Sequence, residues 1–286
     1  EPMKRLACHV LALMTLAAPT LAAEDLTVGF AIAKSGWMEA YDTPAATAAM
    51  IRIEEINAAG GLLGRQIKVV EADTRTDRAE SAKAGLDVLD QGAEMMVVSC
   101  DYDFGAPAAL VAEGEGINSF FLCAEDVKAG IQGVGPNSFS SSVLASVQGA
   151  TMAEWAHARR NARTAYVLED TFIEYNKGIC TGFNWMFPQL DGAGIVGSDT
   201  FKNDDASIAS QITRIKALPE QPDVIMLCSV MPGAAAAVRQ LRAAGITSLI
   251  LNGSAVDGSY WLEATPDLSG FVVPVQGSIY GDDPRA

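Results

Sequence analysis

Short apolar runs rich in β-branched residues alternate with amphipathic helical stretches along almost the whole chain. That alternation constrains the fold more than any other feature, because parallel strands joined by helices bury both kinds of segment. The spacing predicts strands at Leu26 to Ala33, Ile67 to Ala72, Met95 to Ser99 and Ser119 to Cys123, with helices at Thr43 to Ala59, Arg78 to Gln91 and Ala106 to Glu115 between them. The first helix carries an inner stripe of Ala45, Ala49, Ile53 and Ile56 and stops at Gly60-Gly61, since glycine enters the left-handed conformation at a helix end at little cost.

From Asp126 to Ser142 the rhythm breaks into glycines, Pro136 and a serine run, which reads as a crossing segment. It then restarts with helices at Val143 to Arg159, Tyr175 to Phe187, Ala206 to Leu218 and Gly233 to Ala244, and a short one near Tyr260. Strands are expected at Ala165 to Leu168, Gly194 to Thr200, Asp223 to Cys228, Ser248 to Leu251 and Phe271 to Val275. The expected class is α/β: two Rossmann-like lobes with parallel sheets joined by a hinge, residues 24–140 and 141–276, with 277–286 beginning a return crossing toward the first lobe.

Composition narrows the function. With 286 residues, 49% hydrophobic and 19% charged, the chain is neither disordered nor a disulfide-stapled miniprotein. A net charge of −15 and no basic face argue against nucleic acid as a partner.

Met3, the basic pair Lys4-Arg5, the apolar run Leu6 to Ala18 and the segment Pro19 to Ala23 follow the order of a secretory signal peptide. Residues 1–23 are therefore expected to be signal, with Glu1-Pro2 as additions ahead of it, and the product to be exported. An uncleaved anchor is the alternative, although the run falls short of the ~20 residues that span a bilayer. Cys8 opens the apolar run and is misplaced for lipid attachment. Export permits disulfides. Cys100 and Cys123 each end a strand, and adjacent parallel strands would bring them within bridging reach; buried free thiols are the other reading. Whether Cys180 and Cys228 pair stays open. Without a CxxC motif, and with His157 the one histidine left after cleavage, neither a zinc cluster nor Cys-His catalysis is supported.

Gly192, Gly194 and Gly197 spell GxGxxG, but they follow a helix and open a strand, the reverse of what a phosphate-binding turn requires. Asp204-Asp205 and Asp282-Asp283 read as solvated turns. The tract His157 to Arg160 reads as cations at a helix C-terminus.

One segment is far more specific. Residues Ile53 to Ile67, IEEINAAGGLLGRQI, closely resemble the first helix, glycine turn and second strand of the type I periplasmic solute-binding proteins of the branched-chain amino acid ABC-transporter family. Ala72 to Asp77, Asp170 to Gly178 with Tyr175, and Pro232 to Gly245 resemble further elements of that family in order, so the resemblance covers residues 26 to 286. It implies two lobes that close on a small-molecule solute, without a cofactor or covalent chemistry. It also implies delivery to the permease subunits of an ABC importer, with no direct membrane insertion and a monomeric protein. The family has three lobe crossings. Two would lie near Asn137 to Ser142 and Gln276 to Gly281; the third has no sequence to occupy, so roughly the last quarter of the usual family length is expected to be missing and part of the first lobe uncovered.

In open parallel sheets, ligands bind beyond the carboxyl ends of the strands. The candidate contacts are therefore Ser35 and Trp37 after the first strand, Asp101, Tyr102 and Asp103, then Ala124 and Glu125, then Tyr175, Met231, Ser254 and Asp257. Amino-acid binders of the family hold the ligand carboxylate with a small hydroxyl residue and backbone N–H groups after the third strand, and the ammonium with a second-lobe acid. Here Asp101-Tyr102-Asp103 and Gly253-Ser254-Ala255 stand near those two places. With no Arg or Lys expected at neighbouring loop tips, a ligand carboxylate beside Asp101 or Asp103 would be repelled. A cationic or neutral polar solute fits better, with Asp101, Asp103 and Glu125 as charge partners and Trp37, Tyr102 and Tyr175 as aromatic walls. A hard cation is a lesser alternative, and acids that merely solvate loops are the bland one. Tyr175 reads equally as a packing residue, and Met231 as cavity wall. Two other functions compete: a ligand sensor docked on a signalling receptor, and an exported α/β enzyme, which would lack a nucleophile elbow, a metal cluster and a histidine near the cleft.

Overall fold

The computed structural model describes residues 24–259, 261–265 and 268–277. The first half runs β1 (Leu26–Ile32), α1 (Glu39–Ala58), β2 (Ile67–Asp73), α2 (Arg78–Asp90), β3 (Met95–Val98), α3 (Tyr102–Gly114), β4 (Asn118–Phe121) and β5 (Ser138–Phe139). The second runs α4 (Ala145–Arg160), β6 (Thr164–Asp170), α5 (Glu174–Met186), β7 (Gly194–Phe201), α6 (Ala209–Lys216), β8 (Val224–Cys228), α7 (Gly233–Ala243), β9 (Leu249–Leu251) and β10 (Phe271–Val272).

The strands form two parallel sheets of one topology. The first is ordered β2-β1-β3-β4-β5 and the second β7-β6-β8-β9-β10, so each sheet reverses direction between its first and third strands. That reversal splays the loops after those strands apart and opens a crevice at each sheet's carboxyl edge. Helices flank both faces of each sheet, as parallel sheets require, but one face of the first is left open at β4 and β5, where Phe120 and Phe139 stack on each other and are exposed. In the first sheet Val28, Phe30 and Ile32 pack toward Ala46 of α1, while Met96, Val98 and Phe121 pack with Val88, Ala108 and Ala109 of α2 and α3. In the second, Val167 and Met226 meet Phe183 and Phe187 on the side of α4 and α5, while Leu168, Ile225 and Leu227 meet Val238 and Leu241 of α7. All five residues of β8 are buried.

Helices α4 and α5 approach so closely that only glycine fits between them. A Cβ at Gly182 would stand 1.8 Å from the Ser146 carbonyl oxygen, and one at Gly149 would stand 2.0 Å from that of Ile179.

Several local expectations are corrected. Helices α1 and α3 begin at Glu39 and Tyr102, well upstream of Thr43 and Ala106, and each runs through a proline, Pro44 and Pro107. The segment read as a crossing contains a 3-10 turn at Val127–Ala129 and a fifth strand, because β4 offers its open edge to Ser138 and Phe139. Helix α6 is shorter than its apolar pattern predicts, starting at Ala209. Gly192 and Gly194 do lead into a strand, as their context implied. The short helix expected near Tyr260 is a 3-10 turn at Leu262–Ala264. The signal peptide reading for residues 1–23, Asp282-Asp283 and the return crossing beyond Gly277 lie outside the described residues. No helix among the described residues is long and apolar enough to cross a membrane.

Candidate functional site

The carboxyl ends of the two sheets face each other, and a cavity of about 520 Å³ lies between them. It is lined by the loop after β1 (Trp37, Met38), the first turns of α1 (Tyr41, Pro44), the ends of β3 and β4 (Cys100, Asp101, Cys123, Glu125), and second-lobe residues Ile173, Tyr175, Val230, Ser254, Ala255 and Asp257. Ser142, on the segment that connects the sheets, and Gln276, after β10, also line it.

Two buried carboxylates hold the strand ends in place. Asp42 of α1 accepts hydrogen bonds from the backbone of Ala33 (2.7 Å) and Cys100 (2.8 Å) and from Ser99 Oγ (2.7 Å). It thereby ties the ends of β1 and β3 together at the switch point. Asp170, at the end of β6, accepts from Ser229 Oγ (2.7 Å), Asn203 Nδ2 (2.6 Å) and Phe172 N (3.0 Å) in the other sheet. Burial pushes both carboxyls above the ordinary range, and the donors counter it.

Two disulfides decide the question the sequence left open: Cys100 joins Cys123 with Cα atoms 4.4 Å apart, and Cys180 joins Cys228 at 5.8 Å. The first links the ends of β3 and β4, whose next residues carry Asp101 and Glu125, and it lines the cavity. The second is wholly buried beneath α5.

Asp101 is the N-cap of α3, its Oδ1 accepting from Phe104 N at 3.3 Å. It is only 7% exposed, and burial, helped by the neighbouring charges of Asp103 and Asp126, pushes its carboxyl up to about 8. Glu125 reaches across the cleft: Ser254 Oγ donates to it at 3.0 Å, and Gln276 Nε2 donates to it as well. Burial raises its carboxyl too. The Tyr175 hydroxyl donates to Gln148 Oε1 (3.3 Å) and accepts from Ala255 N (3.1 Å). The tyrosine is thus both a packed residue and a cavity wall, and the two readings of it merge. Trp37 stands edge-on to Phe104 at 5.4 Å and leans on Phe172 from the other lobe at 5.6 Å.

Six of the expected residues therefore line one cavity: Trp37, Asp101, Glu125, Tyr175, Ser254 and Asp257. Five do not. Ser35 turns away to donate to Asp73 Oδ2 at 2.7 Å. Tyr102 lies on the first turn of α3 with Lys128 over its ring, and Ala124 and Met231 are buried in the lobe cores. Asp103 is at the rim, where it pairs with Arg78 at 2.5 Å and accepts from Glu174 N at 2.8 Å. The expectation that no base stands near these loops is also overturned. Arg78, Lys128 and Lys177 surround the rim, brought there by α2, the turn after β4 and α5, each already paired with Asp103 or Glu174. Among the described residues none that lines the cavity is Lys or Arg.

Sequence reasoning missed Tyr41 and Pro44, because the early start of α1 was not expected, and missed Ser142 and Gln276. Among the described residues no group of three or more His, Cys, Asp and Glu side chains converges as a metal site would require.

Comparison with known proteins places this geometry in context. A family model described as periplasmic binding protein matches residues 25–286. The Leu/Ile/Val-binding protein BraC3 of Rhizobium johnstonii is 23% identical over 261 residues, spanning 90% of this chain and 69% of that protein. The Leu/Ile/Val-binding protein of Escherichia coli K12 is 24% identical over 227 residues, spanning 78% of this chain and 60% of its own length. Among solved structures, the branched-chain amino acid transporter substrate binding protein LivJ of Streptococcus pneumoniae, in complex with isoleucine, superposes with a TM-score of 0.77 at 25% identity, covering 87% of this chain and 70% of that one. A solute binding protein of Rhodopseudomonas palustris in complex with 3,4-dihydroxy benzoic acid shares the fold, with a TM-score of 0.67 at 15% identity over 83% of this chain and 64% of that one.

Proposed function

The chain belongs to the periplasmic binding protein family, and from that premise we propose that it is the substrate-binding component of an ABC importer. It captures a small polar solute between its lobes, closes, and hands the unaltered solute to permease subunits in the membrane. Export to the periplasm, through the signal-like residues 1–23, is part of the same reading. Family and fold point to transport and not to catalysis.

One observation carries the proposal: a single cavity is walled by both sheets at their carboxyl edges, where Trp37, Asp101 and Glu125 face Tyr175, Ser254 and Asp257. Its volume, about 520 Å³, suits one small solute. Contacts that join the lobes across it, such as Glu125 with Ser254, support closure as the means of capture. The relatives above bind branched-chain amino acids or an aromatic acid. The carboxyl-rich lining, with no Lys or Arg among its described residues, favours a cationic or neutral solute.

A thermal-shift screen of the purified chain against amino acids, amines, amides, aromatic acids and divalent cations tests the reading, since a ligand that binds only the folded state raises the melting temperature. A rise with one solute class supports it. Turnover of that solute, or no response to any class, counts against it.

A further inference from the structure

We infer that Asp101 makes the cleft selective for an organic ammonium that carries no carboxylate of its own, so that the solute is a simple amine and not an α-amino acid. The inference rests on the solute-binding reading above and can fail without it.

Three observations lead there. First, the N-terminus of α3 opens on the cavity, and the backbone N–H groups of such a terminus are where an incoming carboxylate would bind. Here the position is filled from within: the Asp101 carboxyl already accepts from Phe104 N. A solute carboxylate would find that donor taken by a carboxyl, whereas an ammonium beside Asp101 would hold the carboxyl ionised and pair with it.

Second, no Lys or Arg among the described lining residues could pair with a solute carboxylate. The nearest bases are held at the rim, Arg78 by Asp103 and Lys128 and Lys177 by Glu174. Among the described residues the lining carries three carboxyls, Asp101, Glu125 and Asp257, against no Lys or Arg. Glu125 is already engaged by Ser254 and Gln276, and Asp257 is exposed. Asp101 is the buried one, more than nine-tenths removed from solvent, so a cation placed beside it gains the most.

Third, the remaining walls are those of a cation with an apolar body: Trp37, Tyr41 and Tyr175, with Met38, Ile173 and Val230 between them. An ammonium would also relieve the crowding of Asp101 by Asp103 and Asp126, its acidic neighbours on α3 and on the turn after β4.

The test uses three probes that share a branched carbon skeleton: isopentylamine, leucine and isovalerate. Binding of each to the purified chain and to Asp101→Asn is measured by calorimetry near neutral pH. Asparagine caps a helix as well as aspartate does, so the variant keeps α3 intact, and a cooperative melting curve verifies that. The expected result is that the amine binds, that leucine and isovalerate bind at least about tenfold more weakly, and that Asp101→Asn lowers amine affinity about tenfold or more. Leucine binding as tightly as the amine, or an unchanged amine affinity in Asp101→Asn, overturns the inference and leaves the solute-binding reading in place. So does a ligand of another class found in the thermal screen while isopentylamine fails to bind. No solute of any class binding overturns both.

Discussion

Lys128 Nζ lies 2.5 Å from Glu174 Oε2, an ion pair that joins the turn after the first sheet's fourth strand to the first turn of α5 on the second sheet. The same glutamate also holds Lys177, and these partners pull its carboxyl below the ordinary range. Its backbone N–H donates to Asp103, so the rim carries a chain from Arg78 through Asp103 and Glu174 to Lys128. Phe172 closes the adjacent edge against Trp37 and Phe104.

This rim is expected to act as a latch. Lys128 and Glu174 side chains are 43% and 24% exposed, so the pair is screened and worth at most about 1 kcal/mol. Lys128→Ala should accelerate solute release by up to ~5-fold with little change in melting temperature, and raising the salt concentration should shrink the difference. Stopped-flow dissociation at two ionic strengths measures this. A release rate unchanged at low salt would show that the pair forms without holding the lobes.

Solute affinity should depend on pH through Asp101. Its carboxyl, pushed up to about 8 by burial, must lose its proton to pair with an ammonium. Amine affinity is therefore expected to rise with pH up to about 8 and then level off, falling again only where the amine itself deprotonates, near ~10. Titration calorimetry in buffers of different ionisation enthalpy should register proton release on binding below pH about 8. A flat profile across that range would contradict the assignment.

Stability should show the opposite trend. Asp101 titrates near 3.8 when unfolded and near 8 when folded, so between those values the native state holds a proton that the unfolded chain has lost. Its contribution to stability is therefore present at low pH and is lost as pH rises through that window. Asp101→Asn removes the effect while keeping the cap. It should melt several degrees above the unmodified chain at pH about 8, and close to it at pH about 4. Melting curves at the two pH values decide it.

The two disulfides should differ in accessibility. Cys100–Cys123 lines the cleft, whereas Cys180 and Cys228 are wholly buried. Mild reductant applied to the folded protein should release thiols at Cys100 and Cys123 first, identified by alkylation and peptide mass, and bound solute should slow the reaction. Since the bridge ties together the strand ends that present Asp101 and Glu125, its loss is expected to weaken solute binding. Earlier labelling at Cys180 or Cys228 would refute the ordering.

The α4–α5 contact offers a test of the fold alone. Gly182→Ala places a methyl group 1.8 Å from a backbone oxygen that no rotamer change can move aside. The helices must separate, at a cost of about 1–3 kcal/mol or more. Thermal denaturation should show a clear loss, whereas Gly114→Ala, at a site with open space, should not.

Much of the fold was legible because parallel strands are buried on both faces and so read as uninterrupted apolar runs, as β8 does. Helix starts were not. Proline favours a first turn, so pattern reading begins helices near Pro44 and Pro107, yet both helices start upstream and absorb the missing N–H. That one error hid Tyr41 from the cavity and left Tyr102 and Asp103 as loop residues. The short β5 had no periodic signal to reveal it, because two residues pair only when a neighbouring edge is present.

The amino-acid order by itself determined the two-sheet α/β class, the placement of loops at the carboxyl edges and the acids among them, because periodicity and turn chemistry are local properties. It could not say which of those acids face inward. Asp101 and Asp103 are two residues apart, yet the α3 cap buries one beside the cavity and turns the other to Arg78 on α2. That choice depends on where a distant helix delivers its guanidinium, and only the packing of α2 against α3 fixes it.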